Sequence, residues 1–237
     1  MKTVLHKAET RGHANHGWLN SYHSFSFAGY YEPSRIHFRA LRVLNDDTVA
    51  AGMGFGTHPH DNMEIISIPL SGDLKHKDSM GNETVIKQGD VQVMSAGTGI
   101  AHSEMNANKD KEVKFLQIWV FPKKKNVQPR YGQITLDAGK MNNNLLQVVS
   151  PDEKDEGVWI HQDAWFSLGK LDKNFSTEYK LKNRSNGVYA FVLEGSVTIN
   201  GEELNKRDGL EITETEVLQI TSTADAKLLL MEVPMAL

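Results

Sequence analysis

A chain of 237 residues, 39% hydrophobic and 24% charged, has the material for one large β domain or two of ordinary size. A net charge of −4 excludes a strong non-specific pull on nucleic acid, and zero cysteines exclude disulfides, thiolate metal sites and cysteine catalysis. Met1 to His6 has no apolar leader and no later run is long enough to span a membrane, so a cytoplasmic protein without a membrane partner is expected.

In chain order, strands are expected at Phe38 to Leu44, Met63 to Ile68, Val91 to Met94, Val113 to Phe121 and Leu145 to Val149. Five more follow at Phe175 to Leu181, Val188 to Leu193, Val197 to Ile199, Val217 to Thr221 and Leu228 to Val233. They are rich in β-branched and aromatic residues, and several alternate polar with apolar. Met80-Gly81-Asn82 and Asn200-Gly201 have the chemistry of hairpin turns. Helical periodicity is scarce, so the expected class is all-β, a sandwich or barrel.

Two short words carry the chemistry: His58-Pro59-His60 and His102-Ser103-Glu104. Residues i and i+2 of a strand share a face. Two such strands facing each other across a barrel would converge three imidazoles and one carboxylate on a point. That set suits one divalent first-row metal: iron, nickel, manganese or zinc. A single His-x-His arises easily by chance on a surface. Two ligand words, each among glycine turns and alternating residues, point to a metal.

A faint internal repeat suggests two related barrels. Leu70 to Leu74 resembles Leu193 to Val197 at an offset of 123, Lys87 to Val91 resembles Lys206 to Leu210, and Leu116-Gln117-Ile118 resembles Leu218-Gln219-Ile220. The offset carries His58 onto Leu181, His60 onto Asn183 and Glu64 onto Gly187. The stretch with His102 and Glu104 is read as having no counterpart, and all ten histidines lie at or before His161. The metal is therefore expected in the first half alone.

Gly52, His58-x-His60-x-x-x-Glu64, and Gly89 leading to His102 and Asn106 resemble the two cupin motifs, although Gly97 stands where the second usually has proline. Thr57 to His60, His76 to Gly81, Gln92 to Met105 and the early Ser24 to Phe27 narrow the resemblance to the pirin family of bicupins, which includes bacterial quercetin 2,3-dioxygenases. The resemblance implies a metal-binding cupin barrel over residues 1–136 and a degenerate one without ligands over 137–237. It implies that His58, His60, His102 and Glu104 ligate one metal, usually iron. Glu64 is then left either to accept a hydrogen bond from a ligating histidine or to be an ordinary strand residue.

The implied activity is cleavage of a flavonol such as quercetin by dioxygen, with Glu104 taking the 3-hydroxyl proton. The resemblance also implies a different role, a metal- or redox-sensing regulator acting through a protein partner. A cupin isomerase using the metal without oxygen is a third possibility. Of the remaining signals, His76 suits a solvated place better than a strand position approaching the mouth of the site. His13, His16 and His23 suit turn and surface roles, and Lys123 to Lys125 suits a solvated link between barrels.

Overall fold

The computed structural model describes residues 1–236. Two seven-stranded and two four-stranded sheets build two β-barrels in sequence. In the first, the large sheet runs in the order Arg130–Thr135, Asp90–Ser95, Glu64–Ser71, Val113–Val120, Leu41–Val49, Leu19–His23 and Gly12–Asn15. Its small sheet runs Gly54–His60, Ile100–Asn106, Leu74–Asp78 and Glu83–Ile86. The second barrel repeats the plan. Its large sheet is Lys2–His6, Gly209–Thr213, Asn186–Glu194, Ala226–Pro234, Trp165–Leu171, Asn144–Ser150 and Val158–Trp159. Its small sheet is Ser176–Lys180, Val217–Ser222, Ser196–Ile199 and Glu202–Asn205. No helix among the described residues is long and apolar enough to cross a membrane.

The ten expected strands are all present, with ends shifted by a few residues. The first of them starts at Leu41, because Phe38 and Leu41 close a tight bridge around Arg39, whose φ is 52°, and it runs on past Leu44 to Val49. The lysine run is exposed, as expected, but it is not the link between barrels. Arg130–Thr135 returns to pair with Asp90–Ser95, so the crossing lies beyond Thr135.

The internal repeat is real at its first match. Gly72 and Gly195, with φ of 74° and 73°, make the same left-handed turn from the large sheet to the small sheet of their barrels. The third match needs correction. By sheet order the counterpart of Val113–Val120 is Ala226–Pro234, and Val217–Ser222 is the counterpart of Ile100–Asn106. The stretch holding His102 and Glu104 therefore does have an equivalent. Asn106 pairs with Leu74, and Ser222 pairs with Val197. Counting back from those pairs sets Leu218 at the place of His102 and Ile220 at that of Glu104.

This difference decides how each barrel is filled. Leu218, Ile220, Val197, Ile199 and Tyr179 belong to one buried apolar cluster inside the second barrel. The first barrel has only small apolar clusters inside, one around Leu74 and Phe115 and one around Ile65 and Met94. The largest core lies between the barrels. Ile66, Ile68, Leu116 and Ile118 pack there with Phe166, Leu168, Phe191 and Leu229. In a strand alternate residues face opposite ways, so one large sheet gives one face to this core and the other to the barrel interior.

Candidate metal centre

The two ligand strands do not face each other across the barrel: Gly54–His60, at the sheet edge, and Ile100–Asn106 are neighbours in one sheet, paired so that His58 lies directly across from His102. Gly54 allows the close approach, since a Cβ there would meet the Glu104 carbonyl oxygen at 2.3 Å. The rings of His58 and His102 lie 4.5 Å apart between centroids, those of His58 and His60 4.8 Å, and those of His60 and His102 5.0 Å. One ligand nitrogen from each lies within 4.8 Å of the others.

The electrostatics of the three rings fit a cation. The His58 Nδ1–H donates to the Gly56 carbonyl at 2.8 Å, which fixes the tautomer and leaves Nε2 with a free lone pair. His60 Nε2 and both nitrogens of His102 are buried without any partner. Burial, helped by the neighbouring histidines, pushes His60 down to about 4 and His102 down to about 3. Both are neutral near pH 7, as metal ligands must be. Buried imidazole nitrogens without a partner, as at His60 and His102, are costly unless something accepts their lone pairs.

Glu104 faces the same interior, opposite His76 in the adjacent strand, and is 2% exposed. Its carboxylate lies outside the 4.8 Å set formed by the three histidines. Gln117 Nε2 donates to its Oε2 at 2.7 Å, and the Ser67 hydroxyl lies 3.1 Å from its Oε1. Burial pushes this carboxyl up to about 7.

Residues 4–120 match the family model described as Pirin, and residues 147–233 match one described as a quercetinase C-terminal cupin domain. Over 230 residues the chain is 44% identical to the quercetin 2,3-dioxygenase of Escherichia coli strain K12, covering 97% of this chain and 98% of that protein. The chain belongs to the pirin family. A crystal structure of the bacterial pirin YhhW from Escherichia coli in complex with nickel(II) has a TM-score of 0.93 at 41% identity, covering 98% of this chain and 99% of that one. A quercetin 2,3-dioxygenase from Acinetobacter baumannii, 21% identical with a TM-score of 0.76, covers 98% of this chain and 85% of its own length and shares the fold.

Within this pirin fold, two expectations about polar residues are overturned. His76 is 0% exposed, not solvated, and its Nε2 lies 3.0 Å from Asp78 Oδ2. The pattern Leu74-Lys75-His76-Lys77-Asp78 carried the signal, because two lysines alternate with residues that must then point inward. His23 is 3% exposed inside the barrel, whereas His13 and His16 are exposed as expected, His16 at the edge of the same space and His13 stacked on Tyr22. The sequence also gave no role to Ser67 and Gln117, which hold Glu104.

Glu64 has no part in the histidine cluster. Its alternation matches Ile66 and Ile68, which face the second barrel, whereas Ser67 faces Glu104. It is 0% exposed, accepts a 2.6 Å bond from the Ser95 hydroxyl, and has no partner at Oε1. Burial pushes it up to about 7. A carboxyl with its folded pKa above its unfolded one holds its proton longer when folded. Its contribution is fully present at low pH and is lost as pH rises from the ordinary glutamate range through about 7. Glu64→Gln, which mimics the protonated form, is therefore expected to stabilise the metal-free protein by about 1–3 kcal/mol at pH 8 and by almost nothing at pH 5. Urea denaturation at the two pH values checks this; equal effects at both would place the cause outside the proton.

Proposed function

We propose that this chain is a metal-dependent dioxygenase that opens the ring of a flavonol such as quercetin, with one divalent metal held by His58, His60, His102 and Glu104. The observation that supports it most is the convergence of three imidazoles at the wall of the first barrel, two of them with buried nitrogens that have no partner. We take iron as the native metal, with nickel, manganese or zinc able to occupy the same donors. The division of labour is between residues 1–136, which carry the site, and residues 137–237, whose interior is apolar; the strand Lys2–His6 is lent to the second sheet.

A metal held there supplies Lewis acidity toward the flavonol 3-hydroxyl and lowers its pKa. Glu104 takes that proton. A carboxylate has about four lone-pair sites, so contacts from Ser67 and Gln117 leave capacity for both a ligand bond and a proton. Those two contacts also keep the carboxylate from swinging away. Trp119, whose ring stands 5.0 Å from that of His60, covers the site beside it and keeps water from the reacting carbon. The electron-rich flavonolate then takes up one dioxygen, its ring opens and carbon monoxide leaves.

The test is oxygen uptake and carbon monoxide release with quercetin, per bound metal, for protein loaded in turn with iron, nickel and manganese. Turnover with none of them would defeat the enzyme and favour a regulator acting through a protein partner. Elemental analysis is expected to find one metal per chain. Two metals, both tightly held, would contradict the apolar filling of the second barrel.

A further inference from the structure

Behind the histidines, the first barrel holds a cavity of ≈300 Å³. Glu104 and Gln117 line it on the metal side, and Phe27, Phe55 and Trp119 give it flat apolar walls. Away from the metal, four polar side chains also line it: Ser21, His23, Asn45 and Asp47, at 2%, 3%, 3% and 4% exposure. Three of the lining residues hold buried polar atoms with no partner: Nδ1 of His23, Oδ1 of Asn45 and Nε1 of Trp119. Nearly all buried polar atoms in native proteins are paired. Three such atoms belong to residues that line this one cavity.

The hydrogen-bonding character of this wall is set by a short chain of contacts. The Ser21 hydroxyl donates to Asp47 Oδ1, so its oxygen is free to accept from the Nε2–H of His23, 2.8 Å away. That tautomer leaves His23 Nδ1 a bare acceptor. Asn45 Oδ1 is a second acceptor, and among the described residues no lysine or arginine lines the cavity. The Trp119 indole N–H is the unpartnered donor. Such a wall favours ligands that bring hydroxyl protons and disfavours ligands that bring a carboxylate.

We propose that Asn45, His23 and Trp119 are specificity-determining residues that read the ring hydroxyls of a neutral polyhydroxylated aromatic. Asn45 and His23 accept from phenolic hydroxyls, and Trp119 donates to a ring oxygen. The inference rests on the dioxygenase reading of this site. A volume of ≈300 Å³ lies at the small end of ligand pockets, which span roughly 300–1,000 Å³, so a bare two- or three-ring aromatic fits and a glycosylated one does not.

Calorimetry on metal-loaded and metal-free protein tests this with three probes: quercetin, 3-hydroxyflavone, which lacks the other hydroxyls, and a flavone carboxylic acid. Quercetin is expected to bind on the order of tenfold or more tighter than 3-hydroxyflavone, and the acid weakest. Asn45→Leu should bring the quercetin preference close to one. Trp119→Phe keeps the apolar wall without the N–H; it should reduce the preference in part and remains informative if Asn45→Leu does not fold. An unchanged preference in both folded variants would overturn the assignment, as would a carboxylate that binds as tightly as quercetin. If wild-type protein prefers quercetin but never turns it over, the pocket stands and the dioxygenase falls. If it turns quercetin over without any hydroxyl preference, the pocket falls alone.

Discussion

His102→Ala is expected to abolish tight metal binding while leaving the protein folded. His102 is the hub of the cluster, directly across the ladder from His58, with its ring within 5.0 Å of both other rings. Its loss removes one bond and leaves two histidines on a single strand. Removing an outer partner of a ligand costs about 10–100-fold in affinity, so removal of the ligand itself should exceed about 100-fold. The fold should tolerate the change, because neither nitrogen of His102 has a protein partner to strand. Leu218→Ala is the mirror experiment at the equivalent place in the second barrel. Leu218 is 0% exposed in an apolar cluster, so its truncation should cost about 2–5 kcal/mol and leave metal content unchanged. Metal analysis after dialysis, together with denaturant melts, reads both arms. Equal metal loss in the two variants would sink the assignment of the site to the first barrel.

Glu104→Gln is expected to separate binding from chemistry. An amide oxygen can still ligate, and the surrounding groups can accommodate the new one: Gln117 Nε2 still finds an acceptor, and the Ser67 hydroxyl can accept from the amide. What the amide cannot do is take the flavonol proton. Turnover per bound metal should therefore fall on the order of 10²-fold or more, the scale for loss of a general base, while metal content falls far less. Oxygen uptake by wild type and variant loaded alike is the measurement. Near wild-type turnover per metal would leave Glu104 as a ligand only.

The histidine words were legible because strand periodicity is short-range: i and i+2 share a face whatever the rest of the chain does. The repeat was legible where backbone geometry forces a glycine, as at Gly72 and Gly195. It misled where only composition matched. Leu116-Gln117-Ile118 and Leu218-Gln219-Ile220 read alike, yet Gln117 points into its barrel and Gln219 points out to solvent, so the two triplets are out of phase. The cavity wall was hidden for a related reason. Asn45, Asp46 and Asp47 look like loop residues, but they sit in the strand Leu41–Val49, where Asn45 and Asp47 are buried. A polar barrel interior breaks the rule that apolar residues face in, and that rule was what located the other strands.

The strand Lys2–His6 pairs along its full length with Gly209–Thr213, at the edge of the second barrel's large sheet. In synthesis Lys2–His6 thus precedes its partner strand by a long stretch of chain and waits for it before it finds its place. Until the two meet, the edge of Gly209–Thr213, once made, is a row of open backbone donors and acceptors, and Lys2–His6 is free to find the same edge on a second chain. Nascent chains at high concentration are thereby offered a strand exchange between molecules, in which each N-terminus completes its neighbour's sheet.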